Sequence, residues 1–339
     1  MNDPHAQCPS GGRAGTEMPP AVRIFSTDHF VLPLPAEHRF PMAKYALLRR
    51  RVAAVAADLL AEPEAATPAQ LALAHDPRYV SAVMAGTLSE AALRRIGFPW
   101  SKAMVERSRR SVGATIGACR SALAGGCGIN LAGGTHHAHR GFGQGFCVFN
   151  DAAVATRAMQ TEGRAKHILI VDLDVHQGDG TAAIFADDPD VFTLSLHGKD
   201  NYPFRKRASR LDIELADGTG DDAYLAALSI ALRRALAAGH PDLAIYLAGA
   251  DPYHGDRLGR LALSKGGLAA RDAQVFDAMR SSGVPVAVVM AGGYAVAVDD
   301  IVDIHFATVA LALERYAHIR VLDFSVKPRV RPVRHAPHA

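Results

Sequence analysis

Between Ile168 and Gly180 the chain reads Ile-Leu-Ile-Val-Asp172-Leu-Asp174-Val-His176-Gln-Gly-Asp179-Gly, an apolar run that ends in three carboxylates and one histidine. A short, wholly apolar run is the pattern of a strand buried on both faces, as inside a parallel sheet. Ligands of open α/β sheets bind outside the carboxyl ends of the strands, where this cluster falls. Side chains alternate along a strand, so Asp172, Asp174 and His176 share one side while Leu173 and Val175 take the other. Charges crowded on one side of a buried strand repel and stay poorly hydrated unless something positive joins them, and a divalent metal is the natural candidate. Taken alone, the segment also suits a solvated turn or a helix cap.

The rest of the chain supports a sheet. Strand-like runs fall at Val22–Ser26, Gly128–Ala132, His167–Asp174, Val191–Leu196, Leu243–Ala248 and Val284–Met290. Helix-like segments alternate with them, at Ala43–Leu60, Lys102–Leu123, Asp151–Thr161, Asp221–Ala237, Lys265–Arg280 and Val298–Tyr316. Such alternation implies βαβ units and a single-domain, three-layer α/β/α fold with a mostly parallel central sheet, here expected over residues 21–322. Residues 1–20, rich in Gly, Pro and polar side chains, read as a disordered leader without the apolar block of a signal peptide. Residues 323–339 read as a disordered basic tail, with His335 and His338 belonging to its composition.

An apolar content of 49% is ordinary for a chain that buries a full core, and no stretch is long enough to span a bilayer. The net charge of +3 is too small and too dispersed to imply nucleic acid or a membrane surface as partner. Cys8, Cys119, Cys127 and Cys147 form neither a CxxC pair nor a disulfide framework, which favours a reducing, cytoplasmic setting.

Four polar clusters follow expected strand ends: Gly133-Gly134-Thr135-His136-His137, the Asp172–Asp179 cluster, Gly249-Ala250-Asp251-Pro252, and Ala291-Gly292-Gly293-Tyr294. Each is common in loops; their joint placement after separate strands is not. Together with Gly145-Phe146-Cys147-Val-Phe-Asn150-Asp151, they are similar to the histone deacetylase family of the arginase/deacetylase superfamily. Leu34–Tyr45 and Gly255–Leu261 resemble its class IV branch and bacterial relatives. The resemblance spans roughly residues 22 to 320.

It implies a zinc-dependent amidohydrolase in which Asp174, His176 and Asp251 hold the metal, a set that leaves a position for water. It makes His137 the general base and His136 its electrostatic partner, oriented by Asp179 and Asp172 respectively. Tyr294 would stabilise the oxyanion. Gly145 and Phe146 would wall an acyl-lysine channel, with Phe204 facing them. The family's structural potassium would lie on Asp172, Asp174, His176, Ser195 and Leu196, and a second one on Phe185, Asp188 and Val191. Arg39, Gly133 and Gly134 would line an inner cavity behind the zinc. Thr135 stands where many class I relatives carry tryptophan, which would enlarge that cavity toward acyl groups longer than acetyl. His254 reads as a bystander.

The expected activity is removal of acetyl or longer acyl groups from the lysine side chains of a peptide or protein. Small acylated amines such as polyamines are an alternative substrate class, because fold does not fix substrate. An arginase-like two-metal ureohydrolase is an alternative enzyme, in which Tyr294 would have no obvious role.

Overall fold

The computed structural model describes residues 22–321 apart from Ala36; the leader and tail expected at the two ends lie outside the described residues. The strands are β1 (Val22–Phe25), β2 (Leu60–Ala61), β3 (Cys127–Asn130), β4 (Ile168–Asp172), β5 (Val191–Gly198), β6 (Leu211–Leu215), β7 (Leu243–Leu247) and β8 (Val286–Val289). They form one eight-stranded sheet in the order β2-β1-β3-β8-β7-β4-β5-β6. Every pairing is parallel.

Alternation along β4 separates the two cores. Leu169 and Val171 pack with Leu228 of α8 (Asp221–Ala237), Phe276 of α9 (Lys265–Ser281) and Ile304 of α10 (Val298–Ala312). Leu48 and Val52 of α1 (Ala43–Ala56) join this layer. Ile168 and Ile170 pack on the opposite face with Ile116 of α5 (Lys102–Gly125) and Met159 of α6 (Asp151–Thr161). Each face of the sheet is thus covered, as buried parallel strands require.

All six expected strands and six expected helices are present; α6 and α8 have the expected bounds and the other elements have shifted ends. Helix α1 stops at Ala56, because Leu60 and Ala61 leave it to pair with β1. Helix α10 gives way to a π-helical turn, Leu313–Ala317, closed by His318 in the left-handed region. Strand β6 was not expected: its Leu-Asp-Ile-Glu-Leu alternation is that of a half-exposed edge strand. Helices α2 (Pro68–Leu71), α3 (Pro77–Ala85), α4 (Glu90–Ile96) and α7 (Asp179–Ile184) are too short to carry a clear apolar period. Among the described residues no helix is long and apolar enough to cross a membrane.

Buried His75 ties the connection between α2 and α3 to the segment entering α6. Its Nδ1 meets the His139 carbonyl at 3.0 Å and its Nε2 accepts the Asn150 N–H at 2.9 Å. Burial pushes its pKa down from 6.5 to about 4. The unfolded chain therefore takes the proton first, and this residue's contribution is lost as pH falls from 6.5 to 4. The loss is about 3 kcal/mol. His75→Gln, which cannot titrate, is expected to lose less of its thermal midpoint across that interval than wild type; parallel slopes would show that His75 does not govern acid stability.

Candidate metal centre and its pocket

Strands β3, β8, β7 and β4 are neighbours in the sheet, so the four polar segments that follow them converge on one edge. Asp174, His176 and Asp251 are buried there, each offering a ligand atom within 4.8 Å of the others. Asp174 Oδ1 accepts both the backbone N–H and the ring Nδ1–H of His176, each at 2.9 Å. Its Oδ2 accepts the Gly292 N–H at 2.7 Å, and Asp251 Oδ1 accepts the Val175 N–H at 2.9 Å. Asp251 Oδ2 lies 3.3 Å from His176 Nδ1 but makes no hydrogen bond. A Cβ on Gly292 would stand 1.9 Å from that oxygen, so only glycine lets the loop after β8 close over the carboxylates.

The cluster is short of positive charge. Burial, with the nearby Asp174 carboxylate, pushes Asp251 up to about 7. Burial opposes protonation of His176, yet Asp174 and Asp251 lift it to about 10. Two buried carboxylates facing one imidazole nitrogen, with a carboxylate oxygen left unbonded, suit a divalent cation with His/carboxylate preference.

Beside this cluster stand two histidines, each backed by a carboxylate. His136 Nδ1 meets Asp172 Oδ2 and His137 Nδ1 meets Asp179 Oδ1, both at 2.7 Å, with the rings 4.2 Å apart. Burial acts against the charged form of both. At His136 the Asp172 and Asp174 carboxylates outweigh it and raise the pKa to about 9. At His137 burial and the neighbouring His136 prevail, and the pKa falls to about 4. The loop that carries them is held by Asp151, whose Oδ1 accepts the Thr135 N–H at 2.7 Å and its hydroxyl at 2.6 Å. Its Oδ2 accepts the Gly134 N–H at 3.0 Å. The Thr135 hydroxyl is thus committed to fixing its own loop.

Nothing in the sequence pattern marks two further partners of Asp179. Its Oδ2 meets His139 Nε2 at 3.0 Å and accepts Gln144 Nε2–H at 2.7 Å. Burial raises a carboxyl, but the hydrogen bonds from His137 and His139 hold Asp179 well below the usual range.

Over the cluster lies a pocket of about 450 Å³ lined by Asp174, His176, Asp251, His136 and His137, with Tyr294, Phe146 and Gly133–Thr135. Tyr294 is buried; its N–H donates to Asp256 Oδ2 at 2.6 Å and its carbonyl accepts Arg257 Nε–H at 2.9 Å. Phe146 adopts a φ of +63° and donates its N–H to the Ile96 carbonyl at 2.7 Å. Its ring packs between Phe40, Phe98 and Tyr294 at centroid distances of 5.5, 5.3 and 6.0 Å.

Phe204 lines the pocket at its rim, 83% exposed, while Tyr202 packs against His137, ring to ring at 4.9 Å. Arg39 is exposed at the mouth and does not lie behind the metal cluster. An enclosed cation beside Tyr294 is Lys44, whose Nζ lies 3.4 Å from the carbonyls of Ala291 and Gly293 and 5.5 Å from the Tyr294 ring centre. A lysine in the first turn of an amphipathic helix has the appearance of a solvated residue, which is why sequence alone does not reveal it. Ser195 pairs in register with Asp172, and its Oγ meets His197 Nδ1 at 2.9 Å, while Leu196 is buried beside it. Asp188 is tied to Arg157 and to the Asp190 N–H. His254 is outside the pocket, on the Leu263 carbonyl at 3.2 Å.

A buried Asp/His/Asp cluster flanked by carboxylate-backed histidines, at the carboxyl edge of a parallel sheet, is an arrangement that could hold a metal ion and that suits a hydrolase. The chain belongs to the histone deacetylase family: residues 36–309 match the family's histone deacetylase domain. An uncharacterized protein of Picosynechococcus sp. is 48% identical over 279 residues, covering 81% of this chain and 93% of that one. An HDAC homolog from Aquifex aeolicus superposes with a TM-score of 0.76 at 25% identity, covering 88% of this chain and 85% of the other. An HDAC homolog solved in complex with SAHA matches with the same TM-score, identity and coverage.

Asp174→Ala and Asp251→Ala are each expected to abolish tight metal binding, read as metal content after dialysis against a weak chelator. Full occupancy in either folded variant would overturn the ligand assignment.

Proposed function

We propose that the chain is a zinc-dependent deacylase that removes acetyl or longer acyl groups from lysine side chains. The observation that carries this reading is one pocket that unites the Asp174–His176–Asp251 cluster, the His136/His137 pair and Tyr294 beneath an aromatic wall. Family membership and the SAHA complex of a similar homolog support it. Zinc on the three ligands would supply Lewis-acid activation of a carbonyl and of water.

The protein's own groups do the rest. His137, with Nδ1 committed to Asp179, keeps Nε2 free to take a proton from the attacking water. His136, backed by Asp172, stabilises the charge that develops beside it, and the histidine pair returns a proton to the departing amine. Burial and the Asp174 and Asp251 charges raise the Tyr294 hydroxyl well above its usual range, so it stays a hydrogen-bond donor for the developing oxyanion. Phe146 and Gly145 accommodate the aliphatic stem, whose four methylenes are worth about 0.8 kcal/mol each when buried. Asp172, Asp174, His176, Ser195 and Leu196 would hold a structural potassium in this reading. Among the described residues a single three-ligand group is present, which favours one catalytic metal over a two-metal ureohydrolase.

The test is amine release from lysine peptides carrying acyl chains from acetyl to myristoyl, with metal content determined on the same samples. Activity is expected to need about one metal per chain and to fall ~10²–10³-fold in Tyr294→Phe. A folded, metal-loaded protein inactive on every peptide would turn the assignment to small acylated amines, and two metals per chain would restore the ureohydrolase. Asp179→Asn is expected to cost about 10–100-fold in turnover with the fold intact; undiminished turnover would remove its orienting role.

A further inference from the structure

The residues that line the pocket change character toward solvent. Inside they are carboxylates, imidazoles and aromatic rings; the exposed charged ones are Arg39, Arg94, Arg95 and Arg260, with Asp200 as the sole acid. Arg94 pairs with Glu90 at 3.2 Å and Arg260 with Asp217 at 3.1 Å. Both pairs are open to water, the kind that contributes little and exchanges partners readily. Arg95 lies over the Phe142 ring at 5.1 Å, and Arg39 shares only its backbone carbonyl, with Arg257. Neither guanidinium has a carboxylate partner among the described residues. The segment after β5 adds to the same sign. Tyr202 and Phe204 line the pocket, and around them Lys199, Arg205, Lys206 and Arg207 outnumber Asp200.

A chain with a net charge of only +3 thus gathers one sign at the entrance to its site. An acylated lysine is neutral, so it gains nothing from this field; the side chains on either side of it do. Guanidinium groups offer paired donors that match carboxylates, and a rim of one sign both attracts the opposite charge and repels its own.

We propose that the mouth selects acyl-lysines set among acidic residues and disfavours those in basic tails or on polycationic amines. The inference rests on the deacylase reading. Its contacts lie away from the reacting bond and form equally in ground and transition states, so they act on KM and not on kcat.

Three peptides that share one acetyl-lysine, with acidic, neutral or basic flanks, test it on the full-length metal-loaded enzyme. At about 20 mM salt the acidic peptide is expected to exceed the basic one by roughly tenfold in kcat/KM, through KM, narrowing to about twofold near 0.5 M. The R39E/R95E double variant is expected to reverse the order. Equal kcat/KM for the three wild-type reactions at low salt, or a preference for basic flanks, would overturn the proposal while leaving the deacylase reading intact. Hydrolysis of none of the three would overturn both. The wild-type salt dependence decides the matter even where the double variant does not fold.

Discussion

Two carboxylates buried side by side govern this structure. At about 4 Å and an effective dielectric of 20, two like charges repel by about 4 kcal/mol. Asp174 and Asp251 are both fully buried, on the ends of adjacent strands β4 and β7. Backbone N–H groups of Val175, His176 and Gly292 satisfy part of their demand, and His176 sits between them. Those donors offset part of the repulsion without removing it, and Asp251 Oδ2 is left with no hydrogen bond. A site held at this cost suits a cation, and the same two carboxylates outweigh burial to raise His176 to about 10.

The same charges organise the neighbours. His136 lies within reach of Asp172 and Asp174, and His137 is separated from both and given its own carboxylate, Asp179. The two imidazoles lie ring against ring yet are pushed in opposite directions, His136 up by Asp172 and Asp174 and His137 down by burial and His136. A cation among the carboxylates works on His136 in the opposite sense to Asp174, and so brings the pair closer together. What keeps the geometry fixed under such changes is backbone bonding. Asp151 grips the loop before the histidines, and Asp256 and Lys44 hold the loop before and at Tyr294.

Much of this was legible in the sequence, and the reason differs from part to part. The strands around the site are apolar on both faces, so β3, β4, β7 and β8 stand out, and the alternation of Asp172, Asp174 and His176 against Leu173 and Val175 follows from strand geometry alone. Sheet order was not legible. The four strands run 3, 4, 7, 8 in the chain and 3, 8, 7, 4 in space, and only packing fixes that permutation. Edge strand β6 and the short helices carry too few residues or too mixed a pattern to declare themselves. In the site, strand-end carboxylates and tandem histidines have chemistry that restricts their partners. His139, Gln144, Asp256 and Lys44 are polar residues in polar or helical contexts, where solvent would serve them equally well until the fold removes it. Arg39 illustrates the converse: its chemistry suits an inner cavity, yet it is exposed where it lines the pocket.

The division between strand ends and connecting segments also separates chemistry from choice of substrate. The Asp/His/Asp cluster, the histidine pair and Tyr294 follow β3, β4, β7 and β8, where a displacement would be transmitted through close-packed strands. The rim comes instead from the segment before α1, from α4 and from the connections after β5 and β7. These cover little core, so their side chains can vary without disturbing the carboxylates beneath. Gly97, at the end of α4 with a φ of +87°, is one place where the two regimes meet. A Cβ there would stand 2.8 Å from the Phe146 ring, so the channel wall and the helix that carries Arg94 and Arg95 are packed against each other. A change in the set of α4 therefore moves the wall with the rim, which couples what the mouth recognises to how the channel holds the acyl-lysine stem.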